Sequence, residues 1–264
     1  NTLLVNESLN SWDVSNVTSF ESAFQYTDYN GDISLWDVSK SLNFKDMFSS
    51  CSNFSQDLSL WSSPLATNFQ SMFFNATSFN SDLNIVSSSA LNCRSMFEGA
   101  TSFNSAVNFD MSNVTDAWNM FQNTNFNHPS ISSWVAPNLT IIRSFMRNNS
   151  VFNQDLSGLN ASPTDIRDAF NGCSSFSSDF ATYDMTSCTQ YTAFLTGSAF
   201  TNSDYWNTLI GWTGWTAGSP TITLQSSMQC NFGAAKYEIG GVSEDIRNYL
   251  TGTLGWTITD GGGI

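Results

Sequence analysis

The 264-residue chain carries 22 acidic residues against 8 basic ones, a net charge of −14, and only 11% of it is charged. That imbalance excludes nucleic acid and anionic membrane surfaces as partners, because both are held by clustered Lys and Arg, and the eight cations never form a run. At 41% hydrophobic and 14% aromatic the chain is too apolar to stay disordered, and it lacks the stretch of about 18 apolar residues that membrane insertion needs. Ser, Thr and Asn supply about a third of the residues, so the polar surface is mostly uncharged hydrogen-bonding groups. No signal peptide is visible ahead of Asn1, which reads as the start of a mature or trimmed segment.

In chain order, residues 1–10 offer Leu3, Leu4, Val5 and Leu9 before the first legible Trp12-Asp-Val-Ser. That is a partial coil with an unblunted apolar edge, which predicts coverage by upstream sequence or self-association through this N-terminal edge. From there a unit of about 24 residues recurs. Its firmest element is an aromatic-x-x-small-x-x-Phe step, as in Phe48/Cys51/Phe54, Phe73/Ala76/Phe79 and Phe97/Ala100/Phe103. Looser copies begin at Phe24, Phe121 and Met146, and clear ones return at Phe170 and Phe194. Ahead of each leading aromatic, apolar residues fall at three-residue intervals, as in Val17, Phe20 and Ala23 or Ala66, Phe69 and Met72. That spacing predicts one face of a short helix. After the trailing aromatic, segments such as Ile33, Trp36 and Val38 read as short extended pieces.

The expected fold is therefore an α/β repeat solenoid, leucine-rich-repeat-like. It has about eight coils, each with one short strand and one short helix, over residues 1–200. Residues 201–264 form a C-terminal capping segment. There, Tyr205–Trp212 and Glu244–Leu250 are helix-like, with Ser243 as N-cap, and Thr221–Leu224 and Trp256–Thr259 are strand-like.

The consensus Asn-x-Asp-Ile-Ser-x-Trp-Asp-Val-Ser-Asn-Val-Thr followed by Met-Phe-x-x-Ala-x-x-Phe resembles BspA-type leucine-rich-repeat surface proteins. It is nearest their Trp-Asp-Val-Ser branch, and Gly255-Trp-Thr-Ile-Thr-Asp-Gly261 resembles that family's C-terminal segment. Val86, Asp110, Leu159 and Tyr183 stand where later copies lack the Trp. The resemblance implies an extracellular or cell-surface protein in adhesion, with a protein or glycan as ligand, and it supplies no catalytic residues.

Candidate sites are few. Asp32, Asp57 and Asp82 recur three residues after the trailing aromatic, as do Asp155 and Asp179. They make either a Ca²⁺-binding edge or a series of turn caps, the reading the break in the column favours. Among five cysteines, only Cys188 with Cys230 is placed to bridge the last coil to the cap, and no C-x-x-C suggests zinc. Trp206, Trp212 and Trp215 form the better sugar-binding cluster, whereas Trp12, Trp36, Trp61 and Trp134 share one rung and read as core. Paired threonines of the kind an ice-binding face needs stand out only at Thr221/Thr223, Thr251/Thr253 and Thr257/Thr259. The lone His128, and the absence of Gly-x-Ser-x-Gly and of a Gly-rich phosphate loop, predict no enzyme and no cofactor. The sequence thus favours a non-enzymatic extracellular scaffold for adhesion or protein contact. The alternatives are a structural subunit of a filament, appendage or virion surface, and a carbohydrate-binding module.

Overall fold

The structure, a computed structural model, describes residues 6–83 and 89–264. Leu3, Leu4, Val5 and Val86, used in the reading above, lie outside the described residues.

The expected α/β leucine-rich-repeat-like solenoid of eight coils is not what the chain forms. The described residues hold two α-helices, α1 (Asn202–Thr213) and α2 (Val242–Asn248). They hold two β-strands, β1 (Gln229–Asn231) and β2 (Thr257–Thr259), in one small sheet. All four lie beyond residue 200, so among the described residues no repeat contains the predicted strand and helix.

Successive turns occupy the repeats instead, and residues 20–27 show how. Ala23, Gln25 and Thr27 donate N–H bonds back to Phe20, Ser22 and Phe24, at 3.1–3.2 Å. The intervening Phe20, Ser22, Phe24 and Tyr26 donate to Asn43, Lys45, Met47 and Ser49 of the next repeat, each at 2.9 Å. Alternate N–H groups thus close local turns and tie one layer to the next. An α-helix cannot do this, because each interior N–H returns to the carbonyl four residues back.

Two residues in the left-handed region, four apart, enforce the pattern in every layer: Ser22 and Tyr26, Asp46 and Ser50, Ser71 and Asn75, Ser95 and Gly99. Later layers repeat it at Asn119/Asn123, Ser144/Asn148, Asp168/Gly172 and Ala193/Gly197. A left-handed residue breaks a right-handed helix and costs roughly 1–2 kcal/mol when it carries a Cβ. Most of these positions are Ser, Asn, Asp or Gly, the types suited to turns and to positive φ.

Single-residue parallel bridges link Ser19, Asn43, Asn68, Asn92, Asp116, Ile141, Asp165 and Gln190 in one file. Inside it, Phe24, Phe48, Phe73, Phe97 and Phe121 stack with centroids 5.3–5.7 Å apart and planes 4–9° from parallel. A second column, Phe54, Phe79, Phe103 and Phe126, runs beside it at 5.6–6.0 Å. Within a layer the two rings lie 3.8–4.3 Å apart. Burial of each ring is worth about 1.5–3 kcal/mol, and ring pairing adds roughly 0.5–1.5 kcal/mol. At Met146 the first column is interrupted, and the adjacent Phe145 meets Phe121 edge-on at 85°.

The terminal segment starts with a capping box: Thr201 Oγ1 accepts the Asp204 N–H at 3.1 Å, and an Asp204 carboxylate oxygen accepts the Thr201 N–H at 3.0 Å. Gly214, at φ 56°, closes α1. Helix α2 is preceded by Gly241 rather than capped by Ser243, which sits inside it, buried, its hydroxyl accepting the Glu238 N–H at 2.8 Å. Thr221–Leu224 is not a strand; β1 forms further on and pairs in parallel with β2, Cys230 opposite Ile258. The Leu195 N–H reaches the Asn231 carbonyl at 3.0 Å, which joins the last turn layer to this sheet.

Candidate functional site

The periodic backbone sorts surface side chains into rows. One residue before each bridge position stand Thr18, Leu42, Thr67, Leu91, Thr115, Thr140, Thr164 and Thr189. Their backbones form a continuous file: each N–H from Leu42 onward donates to the carbonyl of the preceding member at 2.8–3.1 Å. All are exposed except Thr140, which is half-buried. The hydroxyls of Thr67, Thr115, Thr140 and Thr164 also donate to the preceding member's carbonyl, at 3.2–3.4 Å. This row contradicts the expectation that threonines align only in the terminal segment. Its signal was one Thr or Leu six residues before each of Phe24, Phe48, Phe73, Phe97, Phe121, Met146 and Phe170, legible only down the column.

Two residues after each bridge position runs a second row, which gathers Lys45, Arg94, Arg143 and Arg167 although they are far apart in sequence. Between two of them lies Trp118, with the Arg94 guanidinium 4.0 Å and the Arg143 guanidinium 4.8 Å from its ring centre. Carboxylates answer the row: Glu21 lies 3.2 Å from Lys45, Asp116 3.7 Å from Arg94 and Asp165 2.6 Å from Arg167. The row is thus a mixed-charge seam rather than a basic patch.

The predicted acidic column does not pool its charges. Asp32 accepts the Ser34 N–H at 2.9 Å and the Asn10 amide at 2.7 Å. Asp57 accepts the Ser59 N–H at 2.8 Å and the Ser81 hydroxyl at 3.2 Å. Asp82 accepts the Ala106 N–H at 2.9 Å. The Ser34 and Ser59 backbone N–H groups hold the Asp32 and Asp57 carboxyls below the usual range. Among the described residues no three His, Cys, Asp or Glu side chains gather as metal ligands.

Cys188 and Cys230 are buried free thiols, as are Cys51, Cys93 and Cys173. Burial pushes the Cys173 and Cys188 thiols up to about 12 and the Cys230 thiol well above its ordinary value, which favours their protonated form. His128 caps a 3-10 turn by accepting the Ser130 N–H at 3.2 Å.

The three-tryptophan sugar cluster is not present as a surface. Trp212 is buried, its indole N–H donating to the Phe180 carbonyl at 2.9 Å. Trp215 is half-buried against Tyr249 at 5.9 Å between ring centres. Only Trp206 is exposed, at the wall of a shallow groove of about 440 Å³ with Lys236, Glu238 and Ile264. On the shared rung, Trp36, Trp61 and Trp134 are core, and each donates its indole N–H to a carbonyl of the preceding layer at 2.8–3.1 Å. Trp12 departs from that expectation: 56% of its surface is exposed.

The family model described as "Mycoplasma protein of unknown function, DUF285" matches the chain twice, over residues 1–108 and 91–208. At the level of the family this agrees with the BspA-type resemblance. No curated protein and no solved structure matches the chain.

Proposed function

The chain belongs to that DUF285 repeat family, and on this premise we propose that it is a non-enzymatic surface scaffold, exposed outside the cell, acting in adhesion or protein–protein contact. Within the family we place it in the Trp-Asp-Val-Ser branch, on the residues 12–15 and 36–39 that carry the motif. The observation that supports this reading is the repetition of one surface pattern from layer to layer. A row that presents the same group at regular intervals converts weak single contacts into avid ones, because each further contact is made at high effective concentration. The mixed-charge seam around Trp118 suits a protein partner better than a polyanion, since three of its four cations already face carboxylates.

The test is adhesion of beads coated with the chain, through an engineered terminal tag, to whole cells and to immobilised extracellular matrix. Binding that soluble chain competes away supports the scaffold. Beads that bind neither surface more than beads coated with albumin overturn it. Reversible growth of solution mass with concentration, in the absence of adhesion, favours the filament or appendage subunit.

A further inference from the structure

Three properties of the threonine row coincide, and the scaffold reading uses only the first of them. First, it is regular: neighbouring members belong to adjacent layers joined by backbone hydrogen bonds, so they recur at about the 4.8 Å spacing of bonded strands. Second, it is flat. Adjacent strands in an ordinary sheet rotate by roughly 20–25°, yet the Phe24-to-Phe121 rings turn by only 4–9° from layer to layer. The ring stack thus holds the layers from Phe24 to Phe121 in near-parallel register, so the row does not fan out from Thr18 to Thr115. Its later members stay in file through the unbroken series of backbone bonds from Thr140 to Thr189. Third, it is pre-set. The hydroxyls of Thr115, Thr140 and Thr164 each donate to the preceding carbonyl at 3.2–3.3 Å. This holds the three hydroxyls in one repeated orientation along the file and leaves each oxygen an acceptor lone pair.

A flat, pre-ordered row of hydroxyl oxygens matches a ligand that is itself a flat lattice of hydrogen-bonding oxygens. We propose that the threonine row is an ice-binding face. The ligand is water ordered in a crystal surface rather than a sugar lattice, because recognition of a sugar face draws on exposed aromatic rings. None occurs in this row, in the bridge row beside it, or in the row two residues before it. No charged residue occurs in the threonine row either, so no tightly hydrated ion interrupts the contact. Little ordering entropy is lost on binding, since the three hydroxyls are already held. Leu42 and Leu91 keep the apolar part of the contact at two positions without a hydroxyl.

The experiment is partition of the purified full chain between a slowly growing ice front and the remaining solution, alongside Thr115→Lys, Thr140→Lys and Thr115→Val. Thr101→Lys, an exposed position outside the row, serves as control. Near-ultraviolet circular dichroism confirms that each variant is folded; the valine variant keeps the test valid where a lysine disturbs the layer. The parent and Thr101→Lys are expected to enrich several-fold in ice, and the row variants to lose most of that enrichment. Exclusion of the parent from ice overturns the proposal, as does equal partition of all variants. Retention on microcrystalline cellulose or chitin by a parent that ice excludes overturns it in favour of a glycan lattice.

Discussion

The indole N–H of Trp61 meets the carbonyl oxygen of Ile33 at 3.1 Å, with both residues fully buried. The bond ties one layer to the one before it inside the core, where water cannot replace it. Trp61→Phe keeps a ring but removes this donor from the Ile33 carbonyl, which retains the Trp36 N–H at 3.1 Å, so the lost bond costs about 0.5–1.5 kcal/mol. Trp12→Ala, at an exposed member of the same sequence motif, should change stability by no more than about 0.5 kcal/mol. Urea unfolding of both variants measures the contrast. Equal losses at the two positions contradict the burial difference between them.

Phe97 touches three rings: Phe73 and Phe121 along the column, at 5.7 and 5.3 Å, and Phe103 of the second column within its layer at 4.1 Å. Phe97→Ala should cost about 3–5 kcal/mol. Because stacked units are stabilised by nearest-neighbour contacts, its effect should couple to Phe73→Ala by about 0.5–3 kcal/mol and add independently to Phe176→Ala. A double-mutant cycle in denaturant reads both. Strict additivity of the Phe97 and Phe73 losses contradicts the column.

The period of the chain was legible because each layer must bury the same rings against the last, so the aromatic spacing is written into the sequence. Local conformation was not. Bonds that return three residues, as from Ala23 to Phe20, put apolar side chains at the same three-residue intervals as a helical face. The deciding feature, left-handed backbone at residues such as Ser95 and Asn119, leaves only a short polar residue as its trace, and such residues abound here. The threonine row was hidden for a different reason: its members touch across 24 or 25 residues and never sit side by side in sequence. Trp212 read as a surface residue because nothing local signals that its indole has a partner in Phe180, 32 residues away.

Asp57 links its own turn, through the Ser59 N–H, to the Ser81 hydroxyl of the next layer. Those bonds favour the ionised carboxylate and lower its folded-state pKa, the Ser59 backbone N–H most of all. The stabilisation is fully present above the unfolded-state value, near 3.9. It is lost as pH falls through the lower folded value. Parent minus Asp57→Asn stability should therefore stay constant from neutral pH to about 4.5 and shrink below about 3.9. Taking the difference removes the global repulsion of the −14 charge, which both proteins share. Thermal melts across that range decide it; a gap that widens on acidification contradicts the bonding. Chelator should leave the parent's midpoint unchanged, since Asp32, Asp57 and Asp82 each already accept protein hydrogen bonds, from their own turn or from a neighbouring layer.

Gly99 and Ser95 occupy the paired left-handed positions of one layer, at φ 72° and 52°. Their substitutions should act in opposite directions. At Gly99 a Cβ meets the Asn75 side-chain oxygen of the preceding layer, so Gly99→Ala incurs the left-handed penalty of about 1–2 kcal/mol and a clash besides. The lower chain entropy of alanine in the unfolded state offsets only about 0.4–1 kcal/mol of this. At Ser95 the strain is already present, and Ser95→Gly relieves about 1–2 kcal/mol while losing about 0.4–1 kcal/mol to the more flexible unfolded chain. The net expected effect runs from neutral to about 1.6 kcal/mol of stabilisation. Ser95→Val, β-branched and less tolerant of positive φ, should destabilise clearly. If residues 93–100 were an α-helix instead, the order would reverse: Gly99→Ala would stabilise by roughly 0.5–1 kcal/mol and Ser95→Gly would weaken the fold. Urea midpoints of the three variants therefore separate the turn-built layer from a helix by sign alone.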